Sequence, residues 1–181
     1  MILQGKQIYL KENLLEKNYP SILESFHDLE IVGYLSFAKK ALLLKNTTEL
    51  RNFMAAFGDE IIFEIYNNDN KFIGYTSLSD FKEKTECEFG IFILNKKYWG
   101  KGIGSEVTHA MLNYAFKKLG INKVTLTTSE FNKNAISLYE KIGFKITKLL
   151  PKDRTIFYDN KWLLSGTVLM EINEEDFIVA L

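Results

Sequence analysis

The sequence predicts a mixed α/β domain: a mostly antiparallel sheet of about seven strands, flanking helices and one parallel βαβ crossover. Three features of the chain predict it. Apolar residues recur at helical spacing up to Gly58 and alternate at strand spacing just after it. A β-rich run, a glycine corner, a helical repeat and a second β-branched run succeed one another from Glu86 to Thr128, which makes the two strands parallel. Two more strand-like runs flank the turn Asp159-Asn160-Lys161 and close the chain as a hairpin.

The elements follow in order. Gln7 to Leu10 reads as a short strand. Leu14 to His27 carries Leu14, Leu15, Ile22, Leu23 and Phe26 at partly helical spacing, and Pro20 suits an early turn rather than the middle of one helix. Thr47 and Thr48 are cap candidates for a helix whose face is Leu50, Phe53, Met54 and Phe57, stopped by Gly58. Ile61–Tyr66 and Phe72–Leu78 flank the turn cluster Asn67-Asn68-Asp69-Asn70 and form an antiparallel hairpin. Phe81 to Thr85 is a polar connection into the strand Glu86–Leu94. The helix that follows shows Val107, Ala110, Met111, Tyr114 and Ala115 on one face, and Leu119-Gly120 ends it. Lys123–Thr128 is a strand. Asn132 caps a helix with Ala135, Leu138, Tyr139 and Ile142 on one face, and Gly143 stops it. Lys145–Leu149 and Arg154–Tyr158 are two strands, or one strand interrupted by Pro151, and Trp162–Ile172 is the last. Glu174 to Phe177 reads as a solvated tail. No repeat or low-complexity linker divides the chain, so residues 1–181 are expected to form one domain.

Composition narrows the function classes. Hydrophobic residues at 46% and aromatics at 14% describe a packed chain, not a disordered one. The 23 basic and 23 acidic residues cancel, which gives no support to a nucleic-acid groove. The lone Cys87 excludes an internal disulfide, fits a reducing compartment and lies in an apolar strand, where it reads as a small core residue. No apolar run reaches the roughly 18 residues of a membrane span, and no signal-type h-region opens the chain. The expected location is the cytoplasm. His27 and His109 belong to no G-x-S-x-G context and, with Cys87, show no metal-ligand spacing, so no metal is expected. Oligomeric state is open between monomer and homodimer.

The chemistry concentrates at Trp99-Gly100-Lys101-Gly102-Ile103-Gly104-Ser105. Glycines before a helix let backbone N–H groups approach an anion, and the uncapped first turn adds partial positive charge. This is neither G-x-G-x-x-G nor G-x-x-x-x-G-K-[ST], so the dinucleotide and Walker readings do not fit. Packing alone would also account for such glycines.

A second stretch, Asn132-x-x-Ala135-x-x-Leu138-Tyr139-Glu140-Lys141-x-Gly143-Phe144, lies downstream. The two together resemble the GNAT family of N-acetyltransferases, in the branch of ribosomal-protein-alanine and polyamine acetyltransferases. The family loop is usually written R/Q-x-x-G-x-G/A, and Trp99 holds its first position here. The resemblance implies the acyl-CoA N-acyltransferase fold and direct attack of a primary amine on acetyl-CoA. It implies that Ile91, Phe92, Ile93 and Leu94 pair with the pantetheine arm in a gap opened by a bulge in their strand. It implies that Trp99, Gly100, Lys101, Gly102, Ile103, Gly104 and Ser105 cradle the pyrophosphate, and that Asn132, Ala135 and Lys141 line the cofactor. Tyr139 would protonate the leaving thiolate. The base would be Glu88, Glu86 or a water held by backbone carbonyls; the resemblance favours Glu88, which stands where the branch tends to have its acid, two residues before Gly90. Asp28, Glu30 and Tyr34 would meet the acceptor, a protein N-terminus, polyamine or other small amine. An acyl-CoA-binding regulatory module of the same fold without turnover is the alternative; a nucleotide-binding protein of another kind would prefer ATP or NAD.

Overall fold

The computed structural model describes residues 1–58, 60–83 and 85–177. Its strands are β1 (Ile2–Gln4), β2 (Ile8–Glu12), β3 (Ile61–Asn67), β4 (Phe72–Lys82), β5 (Glu86–Ile93), β6 (Lys123–Ser129), β7 (Lys145–Tyr158) and β8 (Lys161–Asn173). They form one sheet in the order β1-β2-β3-β4-β5-β6-β8-β7. Every neighbouring pair is antiparallel except β5 and β6. The helices are α1 (Tyr19–Phe26), α2 (Leu29–Val32), α3 (Ala38–Ala41), α4 (Thr47–Ala55), α5 (Ile103–Lys117) and α6 (Lys133–Ile142). The mixed fold with one parallel crossover is borne out.

Side-chain alternation along the strands feeds two cores. In one, Phe63, Leu78, Phe89, Val124 and Met170 of the sheet pack with Val107, Met111 and Leu112 of α5 and Tyr139 and Ile142 of α6. In the other, Tyr75 and Leu94, with Phe92 beside them, pack on Ile22, Phe26, Val32, Ala41 and Leu50 of α1 to α4. Cys87 is fully buried in the first core, and burial pushes its thiol up to about 12, so it is an inert core residue.

Several expectations are corrected. The sheet has an eighth strand, β1, whose three residues are too few to show a period. Four helices, not two, precede β3, because α2 and α3 are single turns. The cap of α4 is Asn46, whose side chain accepts from the Glu49 amide at 2.9 Å, and Glu49 reaches back to the Lys45 amide and the Asn46 side chain. Lys145 to Tyr158 is one strand through Pro151; its register shifts between Leu150 and Arg154, with Lys152 at φ 51°. This long strand is one edge of the sheet. The stretch from Glu174 is a 3₁₀ turn tied by Lys117–Glu174 and Lys145–Asp176 ion pairs, with Phe177 against Phe116. In the connection before β5, Lys84 lies outside the described residues.

The entry to α1 is fixed from the sheet. Glu64 of β3 is fully buried and accepts hydrogen bonds from the Leu15 amide at 2.8 Å, from Asn18 Nδ2 and from Tyr66 Oη at 3.0 Å. Without the carboxylate the Leu15 amide and the Tyr66 hydroxyl lose their acceptor and Asn18 Nδ2 keeps only Tyr66 Oη, and an unsatisfied buried group costs about 1–3 kcal/mol. Glu64→Ala is therefore expected to lose roughly 3 kcal/mol of stability, read as a lower urea midpoint, and Glu64→Gln less than half of that.

Candidate active site

Among the described residues β5 and β6 pair at only three positions, Glu86↔Lys123, Cys87↔Val124 and Glu88↔Thr125. Beyond them β5 stays with β4 as far as Ile93↔Gly74, while β6 stays with β8 as far as Ser129↔Thr167. A gap therefore opens between the two strands after Glu88. The register of β5 against β4 is unbroken from Glu88 to Ile93, so the expected bulge is not in that segment of β5. The irregularity is on β4, between Ser79 and Lys82, where Asp80 has φ 48°. The extra β4 residue re-aims Asp80. Ile91 and Ile93 pack toward the α5 core and Phe92 toward the α1–α4 core; Leu94 is buried just past the strand. The Ile93 carbonyl already accepts from Trp99 Nε1 at 2.9 Å.

The glycine corner leads into α5. Gly100 and Gly102 have φ 70° and 81°, a conformation that L side chains rarely adopt. A Cβ on Gly100 would have no atom within 4 Å, and one on Gly102 would meet only Gln7 Nε2 at 3.9 Å. Gly102 is the N-cap residue of α5 and offers no side-chain cap. Glu106, in the first turn, instead accepts from the Gln7 amide at 2.9 Å. The first-turn N–H groups thus face open space between residues that cannot obstruct it, a fit for a pyrophosphate. Ile103 is buried below them, Lys101 and Trp99 are exposed, and Ser105 is half-buried beside His109, whose Nδ1 lies 2.8 Å from the Ser105 carbonyl.

Tyr139 of α6 packs edge-on against Phe89, the first β5 residue past the parallel pairing, with ring centroids 6.3 Å apart. It is 8% exposed, and among the described residues its hydroxyl has no hydrogen-bond partner. Burial raises its pKa, so the phenol stays protonated at neutral pH. Asn132 is the α6 cap, accepting from the Ala135 amide at 3.3 Å; Ala135 is half-buried and Lys141 exposed.

Glu88 stands at the mouth of the gap. Thr127 Oγ1 donates to it at 3.1 Å. Its pKa is raised, first by burial and then by Asp80, against the pull of Thr127 and Arg154. Glu86 is different: Lys123 and Lys82 hold its pKa down, both with nitrogens 2.6 Å away. Asp28 and Glu30 both pair with Lys96 at 2.8 Å. Burial works to raise the pKa of Asp28, but Lys96 and the Glu30 amide outweigh it. Tyr34 stands beside Tyr158 with ring centroids 6.0 Å apart. The structure thus gathers Glu88, Tyr139, β5 and the glycine corner around the gap, and places the Asp28–Glu30 pair against a cation of the chain itself.

Sequence reasoning missed Glu60, Asp80, Thr127 and Arg154. Asp80 and Glu88 share an open hollow with Glu86, Lys82 and Thr125. Arg154 is half-buried, its Nε donating to Thr167 Oγ1 at 2.6 Å. These residues come from four separate strands or strand ends, and only the sheet register brings them together, so no local spacing announces them. Among the described residues no three His, Cys, Asp or Glu side chains could hold a metal.

Known proteins place this arrangement. The chain resembles the spermidine N-acetyltransferase from Vibrio cholerae, solved in complex with CoA and spermine, with a TM-score of 0.80, 21% identity and coverage of 94% of this chain and 97% of that one; at that identity the likeness is one of fold. It is 26% identical to an N-acetyltransferase 9-like protein of Caenorhabditis briggsae over 93% of this chain and 97% of that protein. It is 33% identical over 87 residues to the SPbeta prophage-derived uncharacterized N-acetyltransferase YokL of Bacillus subtilis (strain 168). That match takes in 48% of this chain and 49% of YokL, so the chain spans about half the length of that relative. The family model described as an acetyltransferase (GNAT) domain matches residues 16–145, from the turn before α1 to the start of β7. With well over half of its length inside that match, the chain belongs to the GNAT acetyltransferase family.

Proposed function

We propose that residues 1–181 act as one cytoplasmic N-acetyltransferase domain, monomeric or homodimeric, that moves acetyl from acetyl-CoA to a primary amine by direct attack. The observation that carries this reading is the parting of β5 from β6 beside an uncapped helix N-terminus, with Tyr139 packed at the point of parting. Acetyl-CoA supplies an activated acyl group on a sulfur leaving group. The backbone of Ile91 and Phe92 offers its free edge to the pantetheine arm, as a strand edge does to an added strand. The N–H groups after Gly102 hold the pyrophosphate, with Gly100, Lys101, Gly104 and Ser105 around it.

Glu88 takes the proton from the acceptor ammonium, which frees the nitrogen lone pair for attack on the thioester carbonyl. The C–N bond forms, the C–S bond breaks, and the Tyr139 hydroxyl donates to the departing sulfur. As the amide forms, the nitrogen's second proton passes through water to the Tyr139 phenolate and restores the hydroxyl, so the products are an N-acetyl amine and the free thiol. Glu86 is less suited to the base role because two lysines stabilise its charge. Neutral net charge and the carboxylates at the gap support a small cationic or peptide amine, not a nucleic acid, as acceptor.

Thiol release from acetyl-CoA across a panel of polyamines, amino sugars and N-terminal peptides tests the reading. Absence of thiol release with every amine of the panel, despite tight acetyl-CoA binding, would return the protein to the binding-module alternative. Tyr139→Phe is expected to lower kcat about 10²-fold while CoA affinity, measured by calorimetry, stays near wild type. Glu88→Gln is expected to lose the acidic limb of the kcat/KM profile; because burial raises the Glu88 pKa, that limb in the wild type lies above the ordinary carboxylate range and activity grows as pH rises through it. Gly102→Val forces a branched side chain into a left-handed backbone and into the cradle, so CoA affinity is expected to fall at least tenfold; unchanged affinity would move the pyrophosphate elsewhere.

A further inference from the structure

Across the gap from Glu88 lies Arg154 of β7, a cation that makes no ion pair among the described residues. It is half-buried, and its Nε donates to Thr167 Oγ1 at 2.6 Å. Thr167 is buried, and its hydroxyl also meets the Asp153 carboxylate, 2.8 Å and 2.7 Å from the two oxygens. Asp153 and Glu88 support the arginine charge from beyond ion-pair distance, against the larger effect of burial. No buried side-chain nitrogen or oxygen of the described residues lacks a hydrogen-bond partner, so the Nη groups of Arg154, which have none, are accessible.

Sheet register aims it. Thr127 of β6 holds Glu88, and Ser129, two residues on, lies on the same face because side chains alternate along a strand. Ser129 Oγ meets Ser165 Oγ at 2.7 Å, and Ser165 pairs with Arg154 across the hairpin. Arg154 and Glu88 therefore project from one face of the sheet, opposite the α5 core. The break in register before Arg154 sets Pro151, Lys152 and Asp153 against Gly166 alone, the kind of bulge that re-aims a side chain beside a site. Past Arg154, the Phe157 amide donates to the Gly33 carbonyl at 2.8 Å and ties the hairpin to the end of α2. Backbone contacts on both sides thus fix the arginine before any ligand arrives.

A guanidinium presents a planar fork of N–H donors that matches a carboxylate, and it stays charged when half-buried. The span to Glu88 limits what can carry that carboxylate. Glu88 and Arg154 each rest on a threonine hydroxyl, of Thr127 and Thr167. Thr167 pairs with Ser129. A rise of about 3.3 Å per residue along β6 and a strand spacing of about 4.8 Å set the two threonines roughly 8 Å apart. Hydrogen bonds of about 3 Å at either end take up most of that distance. An amine and a carboxylate that bridge it are a few bonds apart, as in an amino acid.

We propose that Arg154 binds a carboxylate that the acceptor carries beside its reacting amine, so that the acceptor is a free amino acid with its ammonium at Glu88. The inference rests on the acetyl-transfer reading for the reacting end and narrows that reading's acceptor. An amine without the carboxylate leaves Arg154 half-buried and unpaired, and that penalty separates the two classes of acceptor.

The common amino acids and their α-amides, identical but for the carboxylate, test it by calorimetric titration of the CoA-loaded protein, which needs no turnover. At least one acid is expected to bind the wild type tenfold or more tightly than its amide, and Arg154→Gln to erase that preference by weakening the acid. Arg154→Lys, which keeps the charge without the fork, is expected to lose part of it. Thermal melts matching wild type show which variants are folded, and either folded variant decides the question. No acid preferred over its amide at millimolar ligand, or a preference unchanged in a folded variant, would overturn the inference. An equal loss for acid and amide would make Arg154 a counter-charge to Glu88 and overturn it too. Thiol release on the same pairs separates the two readings. Arg154-dependent binding of an acid with no release overturns acetyl transfer alone. Release from amides or polyamines with no preference for an acid overturns the carboxylate site alone.

Discussion

Three residue pairs join the two halves of this sheet. β1 to β5 form one antiparallel ribbon and β6 to β8 another, and among the described residues the only ladder between them is the short parallel pairing of Glu86, Cys87 and Glu88 with Lys123, Val124 and Thr125. Side chains reinforce it. Lys123 reaches Glu86 at 2.6 Å, Thr125 Oγ1 donates to the Cys87 carbonyl at 3.3 Å, and Thr127 Oγ1 donates to Glu88. A longer ladder would close the gap, and none would let the ribbons separate. Its length leaves strand edges of β5 and β6 facing each other without pairing, and buried or half-buried backbone groups require partners. Helix α5 crosses from the end of one ribbon to the start of the other, so its N-terminus lies near the gap by topology alone.

The charged groups around the gap divide by whether the chain neutralises them. Glu86, Asp28 and Glu30 hold lysines. Glu60, Asp80 and Glu88 hold none among the described residues, and burial and mutual repulsion raise the pKa values of Glu60 and Glu88. The same composition thus supplies lysine-paired carboxylates at one place and carboxylates without a lysine at another, where Arg154 offsets Glu88 only in part. Net charge near zero conceals this division.

Much of the fold was legible because its elements are long enough to show a period. β3, β4, β6, α5 and α6 each span about two turns or five residues or more, and their stops at Gly120 and Gly143 are local events. β1, α2 and α3 were not legible because three or four residues define no periodicity. The cap of α4 was placed on threonine because Thr47 and Thr48 are also good caps, and only geometry selects Asn46. At the site, Tyr139 and the glycine corner were readable because each sits in a contiguous motif. Glu60 and Asp80 were not, since they join Glu88 through strand register and a β4 bulge. Asp28 and Glu30 looked available because Lys96, far along the chain, gives no sign in sequence that it will meet them.

The outer strand β7 has a consequence for how copies of this protein meet one another. It is a 14-residue edge with Ile146 and Leu149 about half exposed, which on its own would template pairing with a neighbour. Lys145, Lys148 and Lys152 punctuate that edge, Pro151 removes an N–H from it, and the register shift around Lys152 bends it. Charge, a missing donor and a kink each raise the barrier to strand addition. The irregularity that broke the strand pattern in the sequence is thus a gatekeeper: it keeps the longest exposed backbone edge of the sheet from nucleating an intermolecular one.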